Sequence, residues 1–372
     1  MPALVNTKPQ VETWNSPPAT TATLDWAPLQ TIDISKFDAP GGKQELANEL
    51  RDAVKVWGFW NVVGSGIPQE LVNRQFSIAN TFFKLPLEEK RKVPCDVTVG
   101  NNFGYHEPTR FVGNTDVKEN KEVLNVPKFT PALDTVPRHE FIQQFEDEMA
   151  TFNRLLWENI IRKTLILFAI ILELPENYFV DRHQFDERSE DHTRYILYHA
   201  RPDSEDKKVG DQWLAGHTDF GSLTLLFSQP VSALQIRTPD NEWKWVKHIP
   251  GGVVCNAADT LSFLTKGYIK SAIHRVVRPP PDQANLDRLG LFYFVRPNDQ
   301  VPMIPAPSPV LRREGYLTEE DEKASAKDAV TGYEYVRART KNVHDRKVAR
   351  IAQDNSDAVF QVKNLKIQDY YV

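Results

Sequence analysis

The sequence is poor in cysteine, in long apolar runs and in clustered positive charge. Among its 372 residues are two cysteines, Cys95 and Cys255, too far apart in sequence for a CxxC motif or a disulfide framework. This scarcity favours a reducing, cytoplasmic environment. The longest apolar run, LILFAIIL at 165–172, is far shorter than the roughly 20 residues of a membrane-spanning helix and is typical of a buried helix.

The sequence also lacks a secretory signal pattern and a basic block, and these absences limit the possible locations and partners of the protein. The first twenty residues show no basic stretch followed by an apolar one, which predicts that no secretory signal is present. The net charge is −5 and no dense Lys/Arg block occurs, which argues against nucleic acid as a partner, just as the short apolar run argues against a membrane. A small-molecule partner fits these absences, and a monomer is the default expectation for the oligomeric state.

The residue usage that remains is ordinary for a globular protein. Hydrophobic residues make up 41% and charged residues 26%, enough for a sizeable core. We predict an extended N-terminal arm at 1–27, a helical region at 28–190, a β-rich core at 191–300, and a loop with a C-terminal helix at 301–372. Since no convincing linker separates these parts, we expect one compact unit.

Hydrophobic spacing predicts the main elements. Apolar residues three and four apart indicate helices at 43–57, 69–84 and 140–174. Short strand-like runs separated by turn residues fill 193–295 and include TLSFL at 260–264, a pattern typical of a sandwich or barrel. The segment 331–345 is predicted to be a mostly solvated helix.

The clearest chemical motif is His217-Thr-Asp219, at the start of a predicted strand. Residues two apart on a strand share a face, so both side chains can converge on one ion. Two histidines and one carboxylate leave coordination sites open, as a redox iron requires. A structural zinc would prefer four closed ligands, often cysteines. Spacing alone does not choose the third ligand among the other histidines.

A second feature is the strand DRLGLFYFVRP. Its alternation places Arg288, Gly290, Phe292 and Phe294 on one face. If that face points inward, Arg288 needs an anionic partner, because an unpaired buried charge is very unfavourable. Strand logic alone favours the rim of the sheet, since arginine is rarely buried.

Several segments in order resemble the iron(II)- and 2-oxoglutarate-dependent dioxygenases of the isopenicillin N synthase type. AGHTDFGSLTLLF resembles the H-x-D strand of that family, and NAADTLSFLTKGYIKSAIHRVV the segment that ends on its distal histidine. RYILYHARP, TIDISKF, VWGFWNVVGSGIP and FFKLPLEEK are similar to other family segments. The resemblance spans roughly residues 28–300 and implies a mainly β core with surrounding helices, folded as a double-stranded β-helix, or jelly-roll, barrel.

The resemblance also implies roles for individual residues. His217, Asp219 and His274 would bind Fe(II), and Arg288 and Tyr198 the distal carboxylate of 2-oxoglutarate. The implied reaction consumes O2, yields succinate and CO2, and oxidises a small organic metabolite by hydroxylation, desaturation, epoxidation or ring closure. Ascorbate is an optional reductant.

The sequence departs from the family pattern at three positions. Gly290 replaces the serine of the R-x-S motif, Ala258 a glycine, and Lys266 an asparagine. The missing serine removes a hydrogen bond worth on the order of 1 kcal/mol to the 2-oxoglutarate carboxylate. It keeps open an oxidase of the same fold that needs no 2-oxoglutarate. A jelly-roll protein that binds a ligand without turnover is another alternative, and a zinc hydrolase a weaker one.

The candidate substrate contacts are aromatic residues. Phe103 and Tyr105 fall where the family lines its substrate pocket, and Phe292 shares the face of Arg288. All three are candidate substrate contacts, and packing in the core is the alternative for each. We predict a small, mostly apolar organic substrate.

Overall fold

A computed structural model describes residues 9–322, 329–348, 358–362 and 365–369. The helices are α1 (Gly42–Asp52), α2 (Gln69–Phe83), α3 (Leu87–Lys90), α4 (Glu140–Gln143), α5 (Glu146–Leu156), α6 (Arg162–Ile171), α7 (Asp203–Lys208), α8 (Asp259–Leu264), α9 (Pro309–Arg313), α10 (Glu319–Glu322) and α11 (Gly332–Val348). Single turns of π-helix follow α1 (Ala53–Trp57) and α5 (Trp157–Ile161). Short 3-10 turns lie at Ile34–Asp38, Val97–Val99, Pro131–Leu133 and Val180–Arg182.

The strands form two main sheets and a C-terminal hairpin. They are β1 (Thr31–Asp33), β2 (Phe59–Val63), β3 (Gly104–His106), β4 (Lys121–Pro127), β5 (His192–Tyr198), β6 (Gln212–His217), β7 (Leu223–Phe227), β8 (Leu234–Arg237), β9 (Trp243–Trp245), β10 (Val253–Ala257), β11 (His274–Val277), β12 (Arg288–Val295), β13 (Ala358–Val362) and β14 (Leu365–Asp369). The larger sheet has the order β1-β2-β10-β7-β12-β5-β4-β3, and the smaller one β6-β11-β8-β9. The predicted mainly β core with surrounding helices is confirmed.

The two faces of the larger sheet have different neighbours. On β12, Leu289, Leu291, Tyr293 and Val295 join the largest apolar core together with the buried faces of α1, α2, α5 and α6. Phe292, on the opposite face, packs with apolar residues of the smaller sheet. The alternation predicted for this strand is therefore confirmed, and it separates a helix-packed face from a face between the sheets.

The predicted helix at 43–57 is confirmed, with a change of pitch near its end. Leu46, Leu50 and Val54 are buried, and α1 continues as the π-helical turn Ala53–Trp57. Gly58 ends the segment with φ +63°, and a Cβ there would lie 2.3 Å from the carbonyl oxygen of Lys270. Glycine is therefore needed at this position for both conformation and space.

Two predictions about elements are corrected. The predicted strand at 260–264 is wrong, because this apolar run forms the short helix α8, and a short apolar run does not distinguish helix from strand. The C-terminal helix is confirmed as α11, but it is not mostly solvated, since Tyr335, Val336, Arg339 and Thr340 are buried. The hairpin β13–β14 was not predicted.

The regions named from the sequence are closely joined. Residues 28–190 contribute β1 to β4 to the larger sheet besides their helices. The arm, described from residue 9, has no regular secondary structure over most of its length and contacts α2, where Trp14 stacks on Phe76 with ring centroids 4.4 Å apart. In the described ranges, every helix is too short or too polar to cross a membrane.

Candidate metal centre

The pairing of β6 with β11 brings two histidines side by side. His217 ends β6 and His274 begins β11, and the two residues are direct partners in this antiparallel ladder. Their ring centroids lie 4.3 Å apart. Asp219 follows β6, with Oδ1 3.9 Å from Nε2 of His217 and 3.8 Å from Nε2 of His274. In the described part of the chain, these three residues are the one group of potential metal ligands whose donor atoms lie within 4.8 Å of one another.

Hydrogen bonds orient all three side chains toward a common point. Nδ1 of His217 lies 2.9 Å from the carbonyl oxygen of Ala215, and Nδ1 of His274 lies 3.2 Å from that of Ala272. A carbonyl can only accept, so each Nδ1 carries the proton and each Nε2 presents a lone pair to the cluster.

Asp219 is oriented in the same way. Its Oδ2 accepts hydrogen bonds from Thr224 Oγ1 at 2.7 Å and Asn256 Nδ2 at 2.9 Å, which leaves Oδ1 toward the imidazoles. Burial works to raise the pKa of Asp219, but positive charge on the His274 and His217 rings, when they are protonated in the absence of metal, and these two hydrogen bonds lower it to about 2. The carboxylate is therefore ionised at neutral pH, as metal binding requires.

The donor set fits a ferrous ion. Two imidazole nitrogens and one carboxylate oxygen on one side of an ion form the facial arrangement of non-haem Fe(II) oxygenases. The two free cysteines, Cys95 and Cys255, do not belong to the cluster, so it lacks the thiolates typical of structural zinc sites.

The rim position favoured for Arg288 is wrong. Arg288 is only 3% exposed and is the direct β-ladder partner of Tyr198. Its Nε lies 3.3 Å from the carbonyl oxygen of Val231, whereas Nη1 and the Tyr198 hydroxyl are buried without hydrogen-bond partners. Burial lowers the pKa of Arg288 and raises that of Tyr198 to about 12. Two orphaned buried donors side by side fit an anionic ligand.

One cavity connects Arg288 and Tyr198 with the three candidate metal ligands. Arg288 and Tyr198 line it together with His217, Asp219 and His274, and we call it the Arg288 cavity. An acid bound to Arg288 and Tyr198 can therefore extend toward the metal position. The structure thus brings together all five residues that the resemblance assigned to iron and 2-oxoglutarate.

The departure at Gly290 has a steric explanation. A Cβ at this position would lie 2.6 Å from Cε2 of Phe292, far inside van der Waals contact. The aromatic ring occupies the space that a serine side chain would need. The loss of the motif serine is therefore coupled to the aromatic residue two positions later on the same face.

The three predicted substrate contacts lie in different places. Phe292 lines the Arg288 cavity. Phe103 and Tyr105 are 6% and 3% exposed and are absent from the lining of the cavities at the metal cluster. Phe103 packs edge-on against His192, and the hydroxyl of Tyr105 donates to Glu122. This placement makes both of them core residues, the alternative noted for them from the sequence.

Sequence reasoning missed four polar residues beside the cluster. Thr224 and Asn256 bind Asp219, and Arg194 and Arg296 line a second cavity that reaches it. The alternation of Arg288, Phe292 and Phe294 continues to Arg296, which was the available signal. No comparable pattern marks Thr224, whose role depends on the register of β7 against β10.

Comparison with known proteins places this geometry in a family. Residues 29–148 match the family model described as non-haem dioxygenase in morphine synthesis N-terminal, and residues 190–297 match the 2OG-Fe(II) oxygenase superfamily. The UPF0676 protein C1494.01 of Schizosaccharomyces pombe is 31% identical, over 74% of this chain and 83% of its own length. The 2-oxoglutarate-Fe(II) type oxidoreductase hxnY of Emericella nidulans is 28% identical, over 72% and 79%.

Solved structures show the same architecture. Full-length Neurospora crassa T7H in complex with alpha-KG has a TM-score of 0.72 and 24% identity, covering 88% of this chain and 99% of its own. Its complex with alpha-KG and thymine has a TM-score of 0.71 and 25% identity, covering 85% and 97%. The jelly-roll prediction is thereby confirmed.

The chain belongs to the Fe(II)- and 2-oxoglutarate-dependent dioxygenase family. It is an oxidoreductase whose cofactor is Fe(II) and whose co-substrates are 2-oxoglutarate and O2, and it acts on a small metabolite. The predictions of family, enzyme class and cofactors are confirmed.

Proposed function

We propose that His217, Asp219 and His274 bind the iron, and that Arg288 and Tyr198 bind the distal carboxylate of 2-oxoglutarate. The observation that carries this assignment is the single cavity that joins the three converging ligand atoms to two buried donors without partners. The five residues would then act as one site in the oxidation of a small organic molecule.

Each residue of the chain contributes a definable physical effect. His217 and His274 offer neutral nitrogen donors, because backbone carbonyls fix their tautomers. Asp219 supplies negative charge next to the metal and is held in place by Thr224 and Asn256. Arg288 supplies a cation in a site from which water is largely excluded, where its attraction for a carboxylate is strong.

Iron together with 2-oxoglutarate would supply the oxidising chemistry, which consumes O2 and converts 2-oxoglutarate to succinate and CO2. Apolar walls around the cluster, including Phe59, Leu226 and Phe292, exclude water from the reacting groups. Phe59 also holds the His274 ring edge-on, with centroids 5.3 Å apart.

Anaerobic spectroscopy tests the assignment. Fe(II) followed by 2-oxoglutarate should produce a visible charge-transfer band in the wild-type protein. Asp219→Ala should lose the band, and Arg288→Gln should need a much higher 2-oxoglutarate concentration to reach it. Arg162→Gln, which changes an exposed arginine on α6, is the matched control and should behave as wild type. A band of wild-type strength in Asp219→Ala would contradict the ligand assignment.

An oxidase that needs no 2-oxoglutarate is the remaining alternative for this fold. The partnerless donors of Arg288 and Tyr198 favour 2-oxoglutarate, despite the glycine at position 290. Release of succinate from 2-oxoglutarate, dependent on Fe(II) and stimulated by ascorbate, decides between the two. Oxidation of a substrate without succinate release would favour the oxidase.

We further propose that the protein acts as a monomer in the cytoplasm, without nucleic-acid or membrane partners. Two free cysteines fit a reducing compartment. The arm, the helical region, the β core and the C-terminal helix are proposed to form one catalytic unit. Gel filtration with light scattering measures the oligomeric state directly.

A further inference from the structure

A second cavity approaches the metal cluster from the opposite end of β12. Its lining includes Asp219 and Phe220 beside the metal, together with Arg194 and Arg296, and we call it the Arg296 cavity. Arg288 and Arg296 lie eight residues apart on one side of an extended segment, which separates their Cα atoms by about 26 Å. One molecule of 2-oxoglutarate cannot contact both.

Arg296 is buried, and the carboxylates of Asp219, Glu190 and Asp191 stabilise its charge only from beyond ion-pair distance. It is 4% exposed, and its Nε and Nη1 atoms have no hydrogen-bond partner. Gly221 makes room for its side chain, because a Cβ at that position would lie 2.5 Å from Nη1. A buried guanidinium with two orphaned nitrogens is unfavourable unless a ligand completes its hydrogen bonds.

Arg194 adds a second cation at the same place. Its guanidinium lies 4.3 Å from the centroid of the Phe294 ring, and that of Arg296 lies 5.5 Å from the same centroid. Nε of Arg194 donates to Oδ1 of Asn125 at 2.6 Å, a neutral partner. Burial and the charge of Arg296 lower the pKa of Arg194 to about 10, so it is still charged at neutral pH.

The nearby carboxylates are already engaged with other cations. Glu190 accepts from Arg337 at 2.7 Å, and Asp191 lies 3.8 Å from Nζ of Lys128. Within the described ranges, no carboxylate oxygen approaches Arg194 or Arg296 to within 4.0 Å. Among the described residues, neither arginine therefore has an ion-pair partner.

The charges of the metal centre do not neutralise them either. The two positive charges of Fe(II) and the one of Arg288 are cancelled by the one negative charge of Asp219 and the two of 2-oxoglutarate. With neutral imidazoles the loaded centre carries no net charge. The loaded centre therefore does not neutralise the charges of Arg194 and Arg296. Arg110 and Lys121 also line this cavity, and Lys121 is paired with Glu119 at 2.8 Å.

We propose that the oxidised substrate is an organic acid whose carboxylate binds between Arg194 and Arg296. Val123, Ile196, Leu214 and Phe294 supply an apolar wall for the rest of the molecule. The mostly apolar substrate expected from the sequence is thereby revised to an apolar body with an acidic group. This proposal rests on the proposed iron and 2-oxoglutarate site.

Matched acid and amide probes test the proposal on the enzyme loaded with Fe(II) and 2-oxoglutarate under anaerobic conditions. Phenylacetate, neutral phenylacetamide and phenyl phosphate are titrated while the visible band is followed. Phenylacetate should bind about ten- to a hundredfold more tightly than phenylacetamide, the ratio expected for hydrogen bonds to a charged group. Equal affinity of the acid and the amide overturns the proposal, and a preference for phenyl phosphate overturns the carboxylate assignment.

Variants separate this proposal from the function on which it rests. Arg296→Gln and Arg194→Gln should each abolish most of the preference for the acid while leaving the affinity for 2-oxoglutarate within about twofold of wild type. Arg288→Gln should show the reverse pattern, and Arg162→Gln should change neither. Absence of the band in the wild type would refute the iron and 2-oxoglutarate site itself.

A separate control shows whether each variant folds. Melting temperatures identify any variant that fails to fold, and Arg296→Lys, which keeps the charge, should retain part of the preference for the acid. A preference unchanged in a folded Arg194→Gln variant overturns the role of the arginine pair.

Discussion

At the scale of single residues, Asp219 shows how a buried ligand is kept in position. One carboxylate oxygen receives two hydrogen bonds from Thr224 and Asn256, and the other faces the two imidazoles. The structure thus gives the two oxygens different tasks. Loss of the hydrogen bond from Thr224 or Asn256 should make the orientation of Asp219 less fixed, while the carboxylate ligand itself stays in place.

We therefore expect Asn256→Ala to weaken Fe(II) binding by about 10- to 100-fold, the usual effect of losing a group that orients a metal ligand. Anaerobic Fe(II) titration measures this affinity. Asn48→Ala, on the exposed face of α1, is the matched control and should leave it unchanged. An Asn256→Ala variant with wild-type Fe(II) affinity would show that Thr224 alone is sufficient.

Gly290 gives a second prediction at this scale. Gly290→Ser introduces a Cβ 2.6 Å from the Phe292 ring, so we expect a loss of about 1 to 3 kcal/mol in the free energy of unfolding, as for other overpacked sites. The double variant Gly290→Ser, Phe292→Leu should recover most of this loss, because the smaller side chain vacates the space. Urea denaturation compares the three proteins, and a single variant as stable as wild type would contradict the steric explanation.

At the scale of elements, α11 is connected to the metal centre by a short chain of contacts. Arg339 donates to Oδ2 of Asp259 at 2.7 Å, and Thr218, between two metal ligands, donates to the same oxygen at 3.1 Å. The backbone N–H of Asp259 donates to the carbonyl oxygen of Asp219 at 2.9 Å. The C-terminal helix therefore supports the loop that carries the carboxylate ligand.

Loss of this buried ion pair should be costly. The Arg339 side chain is 1% exposed and that of Asp259 12%. We expect Arg339→Met to lower the free energy of unfolding by roughly 3 kcal/mol or more, because it leaves Asp259 buried without its cation. Adding Asp259→Asn should restore part of this loss. Urea denaturation of the metal-free protein provides the measurement, with Arg313→Met, in an exposed pair with Glu173, as the control that should change little.

The sequence predicts the fold and the site correctly where it contains a regular hydrophobic period or a set of motifs in a fixed order. The alternation along β12 correctly places Arg288 and Phe292 on one face of the strand, but it gives no measure of burial and therefore favours the rim for Arg288. The run at 260–264 has five residues, too few to separate the two periods, and it forms α8. Phe103 and Tyr105 were judged by position in a loop, whereas their contacts depend on tertiary packing.

At the scale of the whole molecule, a polar cluster around Glu122 joins several elements. Glu122 on β4 accepts hydrogen bonds from Lys90 on α3, Tyr105 on β3 and His199 just after β5. His199 also lies 3.4 Å from Asp287, which precedes β12. The hydrogen bonds to Asp287 and Glu122 raise the pKa of His199 to about 9.

This shift predicts a pH dependence of stability. Because the folded-state pKa of His199 is above its ordinary value of 6.5, the protonated ring stabilises the native state fully below pH 6.5, and this contribution is lost as the pH rises through about 9. Melting temperature should therefore fall more steeply between pH 6.5 and 9.5 in the wild type than in His199→Gln. Parallel curves for the two proteins would show that the histidine is not protonated in the native state.

The cross-strand position of His217 and His274 has a consequence for the amount of folded protein in the cell. The two rings meet only when β6 and β11 pair, so an unfolded chain offers iron no comparable set of ligands. Iron then binds the native state selectively and increases its population by mass action. Iron scarcity would expose more of the chain to degradation, so that metal supply would govern how much enzyme is present as well as how much of it is active.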